Sequence, residues 1–284
     1  MATGFTATAD VTELIPEITL GVDYIFQHGS LGRSIVNYKD VSGQPGNVVE
    51  FPYYTEVSGS SSVAETATPT SHQMDLSMVS LTLAKRSVFV PLGDLAKKSM
   101  TDPRSIGEAM GMSMVKIIDT SIFGVVTTTD YATSAGSTNA SLSITYALNG
   151  LNLLEVNEVG FPINCVVAPL QYKTIRSALT PAANDDGVSV GIASEMSQNG
   201  IVSKMFGMNW YVNSRVGTRT VDSTGTVTSG LIFAKKAIGY GFSWLHMAGV
   251  ESIRSTEAAD NMLINWADSA GIVNASGVCT LYST

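Results

Sequence analysis

The apolar residues change period along the chain, and each change marks a predicted element. Ala7 to Glu13 is small and polar; after it Leu20, Tyr24 and the Ile25-Phe26 pair recur at helical spacing. That spacing predicts a short helix from about Pro16 to Gln27, ended by Gly29 and Gly32, on an arm with no core of its own. From Gly46 to Pro91 the period falls to two. Asn47-Val48-Val49-Glu50-Phe51-Pro52-Tyr53-Tyr54 is β-branched and aromatic, and Val79, Leu81 and Leu83 alternate with Met78, Ser80 and Thr82. Between these runs, Ser58 to Gln73 is small and polar with almost no apolar anchor. The pattern predicts a long two-stranded excursion with a flexible tip, and such a ribbon is marginal in water unless it lies on something.

A longer period then returns. Thr101-Asp102-Pro103 supplies a capping residue followed by proline at the first helical position. Ile106, Met110, Met114, Ile117-Ile118, Ile122 and Val125 repeat at intervals of three and four, an apolar stripe over about six turns. Gly107, Gly111 and Gly124 each weaken that helix by about 1 kcal/mol relative to alanine, which predicts a bend or a close crossing by a neighbour. Thr127 to Ser143 reads as a loop. Beyond it, helices are predicted from Tyr146 to Val156 and from Pro169 to Leu179. Strands are predicted at Ile163–Val167, Asn209–Val212, Leu231–Ala234, Met262–Trp266 and Val278–Tyr282, with a turn-rich segment from Val216 to Gly230. The order is mixed α+β, without the βαβ rhythm of a doubly wound sheet and without an internal repeat.

Composition narrows the function classes. The 284 residues carry 16 Lys+Arg against 24 Asp+Glu, a net charge of −8, and only 14% are charged. The usual share is roughly 25%, so the surface is built from Ser, Thr, Asn and Gly, either as exposed β structure or covered by other subunits. Disorder is excluded because it needs low hydrophobicity, and 44% of this chain is apolar. No long uncharged apolar stretch predicts a membrane span, and Met1-Ala2-Thr3-Gly4 does not read as a signal peptide. A pI near 4.8 excludes a broadly basic nucleic-acid binder, though not one small basic patch. Cys165 and Cys279 both lie in apolar runs and read as buried thiols in a chain made in a reducing cytoplasm.

Candidate chemistry is sparse. Gly187-Val188-Ser189-Val190-Gly191 fits the nucleophile-elbow pattern, with Ser189 as nucleophile and His246 the only histidine after it. A loop, Pro181 to Asp186, precedes it where the motif needs a strand, and the pattern is common by chance in a chain rich in Gly and Ser. His28, His72 and His246 lie far apart, with no second ligand one helical turn away. Asp185-Asp186 lacks a partner at calcium-loop spacing. There is no phosphate-cradling glycine motif. Lys85-Arg86, Lys97-Lys98 and Lys235-Lys236 read as solvated or inter-subunit charges. No catalytic, cofactor-binding or metal site is expected.

The order of segments resembles the major capsid protein of tailed bacteriophages, the Hong Kong 97-type capsid fold. The likeness is carried by an arm, a ribbon with a small-residue tip, a glycine-containing long helix and an α+β body. Three phrases share in it: Val166-Val167-Ala168-Pro169-Leu170-Gln171-Tyr172, Phe206-Gly207-Met208-Asn209-Trp210-Tyr211-Val212 and Leu231-Ile232-Phe233-Ala234-Lys235-Lys236-Ala237. The resemblance implies an N-terminal arm over 1–45, an extended loop over 46–91 and a peripheral domain with its spine helix over 92–144. An axial domain over 145–266 and a C-terminal strand over 267–284, returning to the periphery, complete the division.

The function it implies is a shell of hexamers and pentamers of this chain enclosing double-stranded DNA without sequence-specific binding. The implied location is the virion, assembled in the host cytoplasm, with no membrane and no cofactor. Implied partners are a portal protein, a scaffolding protein acting in trans and a decoration or cement protein. The low charge then belongs to surface hidden in neighbours, and acidity keeps DNA from adhering to the wall. Two departures matter. No lysine lies between Lys39 and Lys85, so the loop tip lacks the amine that links subunits covalently in some members. The ribbon also begins within fifty residues of Met1, leaving no room for the cleaved scaffolding segment of others. The alternatives are an encapsulin-type shell around enzyme cargo and, more remotely, a secreted serine hydrolase using Ser189.

Overall fold

The computed structural model describes residues 9–54, 76–93, 103–125, 134–137, 140–179, 204–220, 226–252 and 259–283. The arm is helix α1 (Ala9–Gly29), followed by the short α2 (Leu31–Ile35) and strand β1 (Asn37–Asp40). Helix α1 begins well before Pro16 and passes through it, losing one backbone hydrogen bond without ending. Packing outweighs propensity here: Ile18, Val22 and Phe26, one face of α1, are buried.

The Phe26 ring packs on Phe242 and Trp244 at 4.9 and 5.1 Å, while Ile18 and Val22 lie against α3 (Pro103–Gly124), the long helix anticipated from the apolar stripe. Its Met110, Met114, Ile118 and Ile122 are buried, in register with the predicted period. The glycines act by close crossing. A Cβ at Gly107 would run into the Ile18 carbonyl oxygen, and one at Gly21 of α1 would sit 2.6 Å from the Arg104 carbonyl oxygen. The two helix backbones therefore touch where only hydrogen fits.

Strands β2 (Val48–Tyr54) and β3 (Leu76–Thr82) pair antiparallel, Val48 opposite Thr82 and Tyr54 opposite Leu76. The ribbon is shorter than the 46–91 anticipated, because Leu83 closes its base by donating its backbone N–H to the Asn47 carbonyl at 2.7 Å. Strand β4 (Ala84–Gly93) then leaves it and joins a four-stranded sheet of order β1-β11-β12-β4, with β11 (Ile238–Ser252) and β12 (Ala259–Ile272). The second sheet has the path β5-β13-β10-β6-β8-β7, with β9 also on β10. Its members are β5 (Ser134–Gly136), β6 (Ile163–Val167), β7 (Lys204–Met205), β8 (Met208–Val212), β9 (Thr218–Thr220), β10 (Thr226–Ala234) and β13 (Val278–Ser283). Helices α4 (Ile144–Val156) and α5 (Pro169–Leu179) accompany it. Ser143 caps α4 by accepting from the Tyr146 N–H.

The sheets redistribute the late strands. Met262–Trp266, expected in the body with Trp210 and Phe233, lie in β12 between β11 and β4. Val278–Tyr282, expected to return beside the long helix, lie in β13 between β10 and β5. The boundary anticipated between 144 and 145 is not a gap in the core either. One buried cluster joins Met114 and Ile122 of α3 to Leu231 and Phe233 of β10, while Ile232 of the same strand faces a second cluster with Leu154, Cys165, Trp210 and Cys279. Alternation along β10 makes this possible, since successive side chains enter opposite layers. The anticipated loop from Thr127 to Ser143 contains β5, paired in parallel with β13.

Candidate assembly surface

The ribbon is seated on one face only among the described residues. On β2, Val49 and Phe51 are buried while Val48, Glu50 and Tyr54 are exposed, the alternation expected of a strand with one seated face. The seat is the four-stranded sheet, and it is made by glycine. A Cβ at Gly241 of β11 would lie 2.8 Å from a Val49 methyl, and one at Gly239 would lie 3.1 Å from the Phe51 ring. Val49, Phe51, Leu83, Ala267 and Val273 form a small core of their own, with Leu81 and Val79 of β3 at its margin.

The opposite face has no cover within the described part of the subunit. Directly paired positions on it include Pro52 with Met78 and Tyr54 with Leu76. Tyr54 is 57% exposed, Met78 55% and Leu76 51%. Among the described elements, β3 contacts only β2 and β12 substantially, and both leave this face open. A contiguous exposed apolar strip on a marginal ribbon marks an interaction surface.

Next to the ribbon's outer end lies a cavity of about 660 Å³ between Tyr53, Tyr54, the α4–β6 connection at Phe161 and the β10–β11 turn at Lys235 and Lys236. Phe161 itself is 69% exposed. Leu20 and Tyr24 on the outer side of α1 are exposed as well, Tyr24 lying beneath the Arg104 guanidinium, 5.6 Å from its ring centre, and 4.9 Å from the His28 ring.

The interior is inert by comparison. Cys165 and Cys279 are free and buried, on strands either side of Ile232, and burial pushes both thiols up, Cys279 to about 12. Burial, and then the Asp40 charge, raises Tyr38 to about 12. Asp268 is raised by burial, with the Arg86 guanidinium pulling the other way at 3.3 Å. Asp119 is buried and fully engaged: one oxygen accepts from the Ser30 hydroxyl and the Gly32 N–H, each at 3.0 Å, the other from the Asn213 amide at 3.0 Å. It joins the arm, the long helix and the second sheet.

Of the residues singled out for chemistry, Ser189 and the whole Gly187–Gly191 pattern lie outside the described residues, as do His72, Asp185, Asp186, Lys97 and Lys98. His28 stays on α1, with a ring nitrogen 2.9 Å from the Tyr24 carbonyl oxygen. His246 lies in β11 at an irregularity of its pairing with β12. Among the described residues no three His, Cys, Asp or Glu side chains converge as metal ligands, and no helix is long and apolar enough to cross a membrane. The structure brings together a set the sequence reading did not connect: Arg86, Lys116 and Arg215. Sequence separations near 30 and 100 residues leave no local signal for it.

No family model matches the chain, and no curated protein sequence matches it. Solved structures do. A chain from Mycobacterium phage Che8 superposes with a TM-score of 0.64 at 15% identity, covering 89% of this chain and 90% of that one. The capsid of Ralstonia phage GP4 gives 0.66 at 11% identity, covering 88% and 87%. A virus-like particle from Pyrococcus furiosus gives 0.55 at 12% identity, covering 95% and 98%. The chain therefore shares the α+β fold of these structures, the Hong Kong 97-type fold, over about nine-tenths of its length.

Proposed function

We propose that this chain is a major capsid protein whose copies close into an icosahedral shell around double-stranded DNA. The observation that carries the reading is the superposition, over nearly nine-tenths of each chain, on the capsid of Ralstonia phage GP4 and on a chain of Mycobacterium phage Che8. The ribbon supports it independently, because a subunit that leaves Tyr54, Leu76 and Met78 exposed on an excursion seated on only one side is complete only when a neighbour covers the other. Heterologous contacts of this kind close into rings, and rings of five and six build the shell. The chain is structural rather than catalytic, and its place is the virion.

In this reading the four-stranded sheet, α1, α3 and the ribbon form the periphery, and the seven-stranded sheet with α4 and α5 forms the axial part. The 145–266 and 267–284 boundaries move accordingly. Portal, scaffolding and decoration proteins are the further partners the reading calls for, with assembly in the host cytoplasm. Without a lysine between Lys39 and Lys85 the ribbon has no amine for an amide link, so the shell is held non-covalently and detergent releases a single band near 30 kDa. A ladder of covalent rings would contradict that.

The second reading, a shell around enzyme cargo, has less support: the Pyrococcus furiosus particle is a virus-like shell and superposes at the lower TM-score of 0.55. The mass of the native particle, followed by electron microscopy of its contents, tests both. A megadalton closed assembly holding DNA is expected. A shell holding enzyme selects the second reading, and a monomer or small oligomer under assembly conditions rejects both.

A further inference from the structure

In a chain with few cations, three of them meet in one place from three elements. Arg86 of β4, Lys116 of α3 and Arg215 of the β8–β9 connection line a cavity of about 300 Å³, together with Ile117, Thr120 and Ser121 of α3. Among the described residues no carboxylate lines it.

The cations are held from beneath. Arg86 donates through Nε to Asp268, whose side chain is fully buried and also accepts from the Trp266 indole N–H at 3.1 Å. Arg215 donates its backbone N–H to the Asn213 side chain at 2.8 Å, and Asn213 donates in turn to Asp119 of α3 at 3.0 Å. The loop carrying Arg215 is thereby pinned to the helix that carries Lys116, one turn earlier in that helix. Each buried carboxylate positions a cation without filling the cavity.

We propose that this cavity is an oxyanion site that takes a phosphate group. Asp268 balances Arg86, which leaves Lys116 and Arg215 with no ion-pair partner among the described residues. Two uncompensated cations match free phosphate, which carries between one and two negative charges at neutral pH, or two successive backbone phosphodiesters of one charge each, better than the single charge of a side-chain carboxylate from a second copy. Guanidinium forks and an ammonium suit tetrahedral oxyanions. Because Arg86 comes from the first sheet and Arg215 from the connection beside the second, a bound phosphate ties the two sheets together across α3. The source is either free phosphate or the backbone of a nucleic acid, whose phosphodiesters carry one charge each; both present tetrahedral phosphate oxygens to the cations. The site does not depend on the chain forming a shell, and particle mass tests that separately.

The test is equilibrium dialysis of the full chain against radiolabelled inorganic phosphate at matched ionic strength. Three proteins are compared: the natural chain, Lys116→Gln combined with Arg215→Gln, and Lys235→Gln combined with Lys236→Gln, which removes the same charge elsewhere. Lys116→Gln alone is run beside them in case the double variant fails to fold. Saturable binding of one phosphate per chain is expected, weakened at least tenfold in the cavity double variant, severalfold in Lys116→Gln and less than twofold in the control. Displacement of the phosphate by a short DNA duplex assigns the site to nucleic-acid backbone, and retention in its presence assigns it to free phosphate. No saturable binding overturns the proposal, as does equal weakening in the two double variants. So does a cavity variant that binds phosphate normally but changes the mass of the assembly, which would make the cavity a seat for a neighbour's carboxylate.

Discussion

Strand β6 and strand β2 are of similar length, and their surroundings could hardly differ more. All five residues of β6 are buried, between the α1–α3 layer on one side and α4 on the other. Strand β2 alternates, Val49 and Phe51 in, Val48 and Tyr54 out. The first is covered on both faces by its own subunit. The second belongs to a ribbon that rests on a glycine-faced platform and offers its other side outward. Stability of the subunit should therefore reside in the deep sheet, and assembly in the ribbon.

The largest expected effect lies in the deep sheet. Phe233→Ala empties a fully buried site in the cluster joining β10 to α3 and should destabilise the subunit by about 3–5 kcal/mol in denaturant unfolding. A loss below about 1 kcal/mol would mean that the core is not shared between the two layers. Next comes the platform. Gly241→Val sets a side chain against Val49 and Leu83 and should cost about 1–3 kcal/mol. Hydrogen exchange should show β2 amides losing protection while β10 amides keep theirs; equal loss in both would erase the distinction between the regions.

The platform also carries a buried carboxylate. Burial lifts Asp268 above its ordinary 3.8, with the Arg86 charge opposing. Between 3.8 and the higher folded value the folded chain holds a proton that the unfolded chain has released. The contribution of Asp268 to stability is therefore greatest in acid and falls as pH rises through this window. Unfolding of the natural chain and of Asp268→Asn, compared across acid pH, checks the sign. The stability of the natural chain relative to the variant should fall as pH rises; a relative stability that climbs with pH would show the Arg86 pair overcoming burial. The smallest effect on the subunit is expected on the ribbon's outer face, where Met78→Ser should change unfolding free energy by no more than about 0.5 kcal/mol while lowering the yield of particles.

What could be read from the sequence follows the same contrast. Periodicity marked β6, α3, α4 and α5 because each buries a regular face against its own subunit, and it marked the ribbon because alternation survives with only one face seated. It passed over β11, a fifteen-residue strand, because Gly239 and Gly241 argue against a strand until the ribbon that packs on them is in view. It did not indicate that β12 lies between β11 and β4 and β13 between β10 and β5, since two short apolar runs near the end of the chain say nothing about which sheet receives them. Pro16 pointed to a helix start that tertiary packing overrode. The Arg86, Lys116 and Arg215 cavity was illegible for the simplest reason: only the fold makes those residues neighbours.

The central claim, that a neighbouring copy covers the ribbon's outer face, can be measured with one thiol. Met78→Cys places it on that face, while Cys165 and Cys279 are buried and held protonated by burial, so they stay silent in the folded chain. Maleimide labelling is followed in dissociated subunits and in assembled particles. The account predicts rapid labelling of the introduced thiol in subunits and protection of at least tenfold in particles; equal labelling in the two states would contradict it.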